Sequence, residues 1–443
     1  MKEILVLGAG RSSTSLIQYL LRHAPAGQWS VTVGDVSEQS AREKIGTSVN
    51  GRAIVFDIMN EALSSAAIQG ADVVISLMPA NLHPLVAKHC LKHSKHLLNA
   101  SYVSDEMKTF HDEALAKGLL FLNECGLDPG IDHMSAMQVI DNIKARGGKL
   151  TSFESFTGGL IAPETDPENP WRYKFTWNPR NVVMAGQGTA KFLQNGQYKY
   201  IPYQQLFQRI TTVSVPGYGD YEGYANRDSL KYLETYGLQG IQTMLRGTLR
   251  NKGYCPAWNV LVQLGCCDDT YALDSVDKMT HRSFINSFLD FHDTQRVEEK
   301  LCAVLKLSPE GEEMKRLRWS GLFTSDPVGL ATGTPAQILE HILSKRWKLI
   351  PGDKDLIVMW HRFRYEADGK KKEIQAHLIA TGEDEVHTAM AKTVGLPVGI
   401  AAKLLLEGKF KTRGVAIPVK KEFYDPILHE LSQTGIHLVE REY

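Results

Sequence analysis

The chain has 443 residues, 50 of them basic and 50 acidic, so its formal net charge is zero. That balance offers no basic face to nucleic acid or to an anionic membrane, and the length suits two or three domains with full cores. No signal peptide is expected, because Met1-Lys2-Glu3 leads straight into an apolar stretch at Ile4, and no apolar run approaches the roughly 20 residues of a membrane helix.

The first 130 residues alternate strand and helix. Ile4-Leu5-Val6-Leu7 predicts a buried strand, and Leu16, Ile17, Leu20 and Leu21 a helix after it. Val31-Thr32-Val33, Ala53 to Phe56, Val73 to Leu77, Leu97-Leu98 and Leu119 to Leu122 predict five further strands. A helix through Leu85, Val86 and Cys90 and another through Met134, Met137, Ile140 and Ile143 on one face complete the pattern. Strands without polar alternation, separated by helices, predict a parallel sheet covered on both sides.

From about Gly147 the pattern becomes turn-rich and aromatic, as in Trp171-Arg172-Tyr173-Lys174-Phe175-Thr176-Trp177. Residues 255–349 read as helical and charged. Leu356 to Trp360 and Ile374 to Ile379 predict two strands joined through Asp368-Gly369, a strong hairpin signal. Helix returns with Met390, Val394, Ala401, Leu404 and Leu405.

Gly8-Ala9-Gly10-Arg11-Ser12-Ser13 follows the first strand and opens the first helix. Two glycines there let the backbone turn sharply and approach a pyrophosphate, and amides at the helix start face its charge. The third glycine of the usual fingerprint is Ser13, a mild steric departure. Asp35 ends the second strand, where a carboxylate accepts both hydroxyls of an adenosine ribose and repels a 2′-phosphate. NAD is therefore expected over NADP, although Arg11 and Arg42 lie close enough in sequence to serve a phosphate, and a surface turn at Gly34 to Ser37 is the alternative reading of Asp35.

Asn99-Ala100-Ser101-Tyr102 places a hydroxyl and a phenol after the fifth strand, as proton carriers or as an ordinary polar loop. Pro79, closing the fourth strand, shapes a crevice wall. Gly126-Leu127-Asp128-Pro129-Gly130-Ile131-Asp132-His133 joins the sixth strand to a helix. Open α/β folds place ligands at such strand ends, while a plain connection with Asp132 as N-cap is the competing reading. Asn226-Arg227-Asp228-Ser229 is turn-like, and Arg246-Gly247-Thr248-Leu249-Arg250 sets two arginines four apart, on one face if helical. Guanidinium groups clamp carboxylates bidentately, though single arginines more often make surface ion pairs. The six cysteines lack paired metal spacing, adjacent Cys266-Cys267 reads as two small buried residues, and no metal is expected. Scattered cysteines fit a reducing cytoplasm.

In order along the chain, Gly8-x-Gly10, Val74 to Pro79, Ser101 to Ser104, Asn123 to His133, Gly158-Gly159-Leu160, Tyr173-Lys174-Phe175, Asn226 to Ser229, Arg246 to Arg250 and Ala389 to Gly395 give the chain its identity. From Ile4 to about Lys420 it resembles the glutamate-forming saccharopine dehydrogenases, also called saccharopine reductases. The resemblance implies a Rossmann-like domain over 1–133, a larger α/β domain over 134–254 and 350–390 that binds substrate and forms a homodimer, and a small helical domain over 255–349. It also implies that the segment from about 390 to 443 packs back on the first domain.

By position, Ser101, Tyr102, Asp128, Arg227, Thr248, Leu249 and Arg250 match residues that contact saccharopine. Gly8, Gly10, Arg11, Ser12, Ser13, Asp35, Asp57, Asp128 and Trp177 match or border cofactor positions. Fungal members that use NADP carry a Cys-Arg pair where this chain has Asp35-Val36, which strengthens the expectation of NAD. Relatives also carry a cysteine where this chain has Thr157, so no role of that thiol transfers.

The implied reaction oxidises saccharopine with water to L-glutamate and 2-aminoadipate 6-semialdehyde, the reverse being a reductive amination. Asp128 and Tyr102 are the candidates for proton transfer. The rival readings are a lysine 6-dehydrogenase, a carboxyspermidine-type reductase, or a non-catalytic nicotinamide-binding regulator.

Overall fold

Short apolar runs with no polar alternation can be buried only if both faces of their sheet are covered. The computed structural model, which describes all 443 residues, builds such a sheet from β1 (Lys2–Leu7), β2 (Trp29–Asp35), β3 (Gly51–Val55), β4 (Val73–Ser76), β5 (His96–Asn99) and β6 (Leu120–Leu122). All adjacent pairs among these are parallel, with Leu7 beside Gly34 on one side and Ser76 on the other. The order runs β6-β5-β4-β1-β2-β3, so the chain reverses its winding at β1, which lies between β4 and β2. This is the Rossmann arrangement, and its crevice opens at the carboxyl ends of the strands flanking the reversal.

Seven helices connect or cover these strands: α1 (Thr14–Gly27), α2 (Glu38–Ile45), α3 (Glu61–Gln69), α4 (His83–His93), α5 (Asp105–Thr109), α6 (His111–Ala116) and α7 (Ile131–Ala145). Leu5, Leu7, Phe56, Val74, Val86 and Phe121 form one continuous core, each removed from water at roughly 1.5–3 kcal/mol per side chain. Late in the chain, Gly414–Ala416 adds a seventh parallel strand beside β6. The helix Ala389–Leu406 packs on α1, where a Cβ at Gly395 would lie 3.0 Å from that of Leu16. This helix is long and apolar enough to cross a bilayer, contrary to the expectation that no run approaches that length, but most of it is buried in the core.

The chain divides into two units. The first comprises Met1–Lys149, Glu366–Lys370 and Leu378–Val439, so the late segment belongs with the parallel sheet up to Val439, and only residues 440–443 depart from the expected 390–443. The boundary expected after residue 133 falls inside α7, which lies wholly in this unit. Nor is α7 one-faced as its spacing suggested. Ile131, His133, Ala136 and Val139 are buried along with Met134, Met137, Ile140 and Ile143, and the helix Lys421–Gln433 packs against it.

The second unit contains Leu150–Tyr365, Lys371–His377 and Glu440–Tyr443, and residues 255–349 are part of it rather than a separate body. Its nine-stranded sheet comprises β7 (Lys149–Ile161), β8 (Ala190–Gln194), β9 (Gln197–Ile201), β10 (Thr211–Val215), β11 (Gly219–Ala225), β12 (Thr243–Asn251), β13 (Asp355–Ala367), β14 (Lys370–Thr381) and a last strand, Val439–Glu442. β12 is parallel to β7 and antiparallel to β11. Asp368 and Gly369 both have positive φ, 52° and 69°, as the two-residue turn between β13 and β14 requires. Trp171, Tyr173, Tyr254, Trp258 and Trp347 make a buried aromatic cluster with ring centroids 5.1–6.3 Å apart.

One partly buried contact in the first unit is sensitive to pH. The Leu120 amide donates to His96 Nδ1 at 2.9 Å across β5 and β6, so this nitrogen must carry no proton. Desolvation, helped by Arg413, lowers the His96 pKa from 6.5 to about 4. The unfolded chain therefore takes up this proton first as the pH falls. The contribution of His96 to stability is whole above pH 6.5 and drains away towards about 4, a loss on the order of 3 kcal/mol. Urea unfolding of wild type and His96→Gln should show a smaller stability loss between pH 7 and 4 in the variant; parallel curves would rule His96 out.

Candidate functional site

At the first turn of the parallel sheet, Gly8 has φ +103° and a Cβ on it would sit 3.1 Å from the Leu77 carbonyl oxygen. Glycine is required there by both conformation and space. Gly10 is different. Its backbone is ordinary, yet a Cβ would meet nothing within 4 Å, so the position opens on the crevice. Arg11, Ser12 and Ser13 form a single tight turn ahead of α1, with Arg11 exposed and Ser13 buried. The Ser13 hydroxyl donates to the Gly10 carbonyl at 2.8 Å, which explains how serine serves at the third fingerprint position.

Asp35 is tied into the same loop. One carboxylate oxygen accepts the Ala9 amide at 2.8 Å and the other the Ser37 amide at 2.9 Å. The charge is thus held at the end of β2 while lone pairs remain for further donors. Asp57, two residues past β3, is exposed and accepts the Met59 amide at 2.9 Å. An open glycine, free space before a helix start and a fixed carboxylate at the second strand fit a dinucleotide.

On the other side of the reversal, two loops meet. Ser101 and Tyr102 follow β5, and Asn123 to Gly130 follow β6. Asn99 Nδ2 donates to Asn123 Oδ1 at 2.6 Å, and Asn99 Oδ1 accepts the Ser101 amide at 2.9 Å. Glu124 has φ 54° and is buried; its amide donates to the Ser101 carbonyl, and its carboxylate accepts the Val103 amide at 3.0 Å and pairs with His133 Nε2 at 2.8 Å. The two loops are laced into one rigid piece. From it, Tyr102 Oη donates to Asp128 Oδ1 at 3.0 Å.

Asp128 is singled out by its surroundings. Every residue from Leu119 to Met137 is buried except this one. The loop closes on itself through Gly126 N to Pro129 O at 2.9 Å and Ile131 N to Gly126 O at 2.8 Å, with a cis Asp128–Pro129 peptide. Asp132 is not the N-cap expected from the sequence. Helix α7 starts at Ile131, and Asp132, one residue inside it, accepts the Gly130 amide at 2.6 Å.

The expected basic residues lie in the second unit. Arg246 to Arg250 form part of β12 and not a helix. Strand alternation puts Arg246, Thr248 and Arg250 on one face and Leu249 on the other, and the Leu249 side chain is fully buried in the core. Arg227 is exposed with φ 41°. Trp177 is half-buried at the end of the aromatic segment. Arg250 is only 4% exposed and sits over the rings of Tyr173, Tyr224 and Tyr254 at 5.1, 5.8 and 5.2 Å. Its Nη1 donates to the Leu249 carbonyl, while Nε is buried without a partner. Burial pushes the Tyr173 phenol up to about 12 against the pull of Arg250, and raises Tyr224 and Tyr254 too, so the cage is neutral; Glu222, opposite Arg250 across β11 and β12, gives its carboxylate to the Gly253 and Cys255 amides and makes no ion pair with it.

Sequence reasoning missed several participants. His83 bridges Ser76 and Ser101, and nothing in Leu82-His83-Pro84 announced it. Thr157, set aside as a departure, has a buried hydroxyl with no partner and pairs in register with Thr248. Tyr224 and Tyr254 carried no signal beyond being aromatic.

Fold and first-turn geometry define a dinucleotide-binding protein of the Rossmann type with a carboxylate–phenol pair at the sheet's carboxyl edge. Residues 4–122 match the saccharopine dehydrogenase NADP binding domain, and 126–436 the saccharopine dehydrogenase C-terminal domain. The chain is 32% identical to the NADP(+), L-glutamate-forming saccharopine dehydrogenase of Schizosaccharomyces pombe over 99% of each. It is 35% identical to the mitochondrial alpha-aminoadipic semialdehyde synthase of Rattus norvegicus, of which it spans 47%. The apo glutamate-forming saccharopine dehydrogenase of Saccharomyces cerevisiae superposes over the full length of both chains with TM-score 0.89 at 31% identity. This chain belongs to the saccharopine dehydrogenase family.

Gly130 tests the loop. Its φ is +149°, and an added Cβ would lie 2.0–2.3 Å from Gly126 backbone atoms. Gly130→Ala should lose roughly 3 kcal/mol or more in denaturant unfolding. Stability within 0.5 kcal/mol (roughly) of wild type would mean that the closure is not tight.

Proposed function

We propose that this chain oxidises saccharopine with a nicotinamide cofactor and water to L-glutamate and 2-aminoadipate 6-semialdehyde, a step of lysine metabolism, with reductive amination as its reverse. The relatives named above support the substrate, and Arg250 is the observation that carries it. A guanidinium taken out of water costs several kcal/mol unless it is paired. Three neutral rings return only about 0.5–2 kcal/mol each. The deficit is met by an anionic ligand, and saccharopine brings several carboxylates. Arg227, Thr248 and Arg250 are proposed to hold them, with Leu249 contributing backbone alone.

When bound, the nicotinamide supplies a hydride acceptor. Gly8, Gly10, Arg11, Ser12 and Ser13 would hold its phosphates, Asp35 and Asp57 its adenosine half, and Trp177 and Asp128 would border it. Asp128, fixed by the Tyr102 phenol, is the group proposed to take the amine proton and to pass protons to and from the water that hydrolyses the imine. Tyr102 keeps the carboxylate oriented and shares the proton.

NAD is proposed as the preferred form. The Schizosaccharomyces pombe relative is named for NADP(+), so the cofactor is where this chain would part from it. In support, the carboxylate of Asp35 at the end of β2 would repel a 2′-phosphate on the adenosine ribose, and the nearby basic side chains have partners: Arg42 with Glu38, Lys44 with Thr14, Arg52 with Thr32. A homodimer in a reducing cytoplasm is also proposed; the second point rests on six buried, unpaired thiols.

Saccharopine with NAD should give nicotinamide reduction and glutamate, with a higher kcat/KM than NADP gives. No reduction with either cofactor defeats the catalytic reading, and faster turnover with NADP defeats the assignment of Asp35. Arg250→Lys should raise the KM for saccharopine at least about tenfold, as loss of a bidentate charged contact does, and leave that for the cofactor near wild type. Equal rises in both would remove Arg250 from the substrate clamp.

A further inference from the structure

The crevice edge contains a buried histidine that the reaction scheme above does not use. His83 is the first residue of α4, and its ring is sandwiched between two hydroxyls: Ser76 Oγ, at the end of β4, 2.9 Å from Nδ1, and Ser101 Oγ, in the loop after β5, 2.8 Å from Nε2. Ser76 is fully buried and His83 nearly so, at 4% exposed, whereas Ser101 is half-buried at the crevice. Burial lowers the His83 pKa to about 4, so at neutral pH the ring has one N–H and one bare nitrogen. It donates to one hydroxyl and accepts from the other.

Which way round is decided by Ser76. Its hydroxyl has His83 as its side-chain partner and no route to water. If Nδ1 carried the proton, Ser76 would accept it and leave its own O–H buried with nothing to bond, at a cost of about 1–3 kcal/mol. The satisfied arrangement has Ser76 donating to Nδ1 and Nε2–H donating to Ser101. The Ser101 oxygen is then occupied as acceptor, and its O–H is turned away from the ring, free to donate.

We propose that His83 is a positioning residue that orients the Ser101 hydroxyl as an outward hydrogen-bond donor to a carboxylate oxygen of the substrate. This rests on the reading of Ser101 as a substrate contact. The ring touches neither substrate nor cofactor in this scheme; its effect passes through one hydroxyl. A polar relay with a fixed direction differs from a packing role, because an amide of matching length can replace it. Glutamine presents an oxygen to accept from Ser76 and an N–H to donate to Ser101, and phenylalanine fills the space with neither.

The test is a double-mutant cycle on the full chain with NAD, reading the KM for saccharopine, the KM for NAD, and saccharopine Kd by calorimetry. Ser101→Ala should raise saccharopine KM and Kd about tenfold, the factor for one hydrogen bond to a charged group. His83→Phe should do the same, and the double variant should be no worse than either single one. His83→Gln should recover most of the loss, and Ser76→Ala, which frees the ring to reverse, should fall between; in all of them the KM for NAD stays put. Multiplicative effects in the double variant, or His83→Gln as impaired as His83→Phe, would refute the relay while leaving Ser101 a substrate contact. If Ser101→Ala leaves saccharopine KM and Kd unchanged, the contact itself is refuted and the relay with it.

Discussion

A carboxylate stays fixed at a surface only if the fold delivers it there without letting it wander, and for Asp128 that is done by backbone closure between Gly126 and Gly130. The two glycines approach so closely that no side chain fits on Gly130, and paired amides and carbonyls within the loop satisfy what the tight path would otherwise bury unmet. Asp128 is what remains outside. Glu124, His133 and Asp132 lie behind it as a buried polar base, tying the loop to the Ser101–Val103 segment and to the start of α7. The geometry of the Tyr102–Asp128 pair follows from that lacing.

The same economy of charge governs both units in different ways. In the first, Asp35 is held by two amides at the end of β2, so its negative charge is fixed in place before any cofactor arrives. In the second, Arg250 is surrounded by rings whose phenols burial keeps neutral, and it makes no ion pair. Buried charges in that unit are met in different ways: Lys174 pairs with Asp353 and Asp166 at 2.7 and 3.0 Å, while Lys300 donates to the Asp290 carbonyl and Glu222 accepts the Gly253 and Cys255 amides.

The parallel sheet was legible because its determinants are local: apolar runs of strand length, helical spacing between them, and a glycine turn after the first. The Asp368-Gly369 hairpin was legible for the same reason, since the turn type depends on two residues. The errors came where a local pattern admits two structures. Arginines four apart share a face on a helix and on a strand alike, so Arg246 and Arg250 were grouped correctly in the wrong element. The spacing in α7 showed one apolar face, but the helix Lys421–Gln433, far along the chain, covers more of it.

By itself the sequence determined the fold class, the family and the position of the charges, since each rests on residues that are neighbours along the chain or on motifs in a fixed order. It named Asp128, Tyr102, Ser101, Asp35 and Arg250. Only the tertiary structure decided how they stand: that Tyr102 donates to Asp128, that Asp35 is bound to the glycine loop, that Arg250 sits among three tyrosine rings, and that His83 stands between two serines. Those are contacts between residues from 4 to 77 apart along the chain (Arg250 to Tyr254, Tyr173 to Arg250), and such contacts depend on distance and direction, which spacing along a chain does not carry.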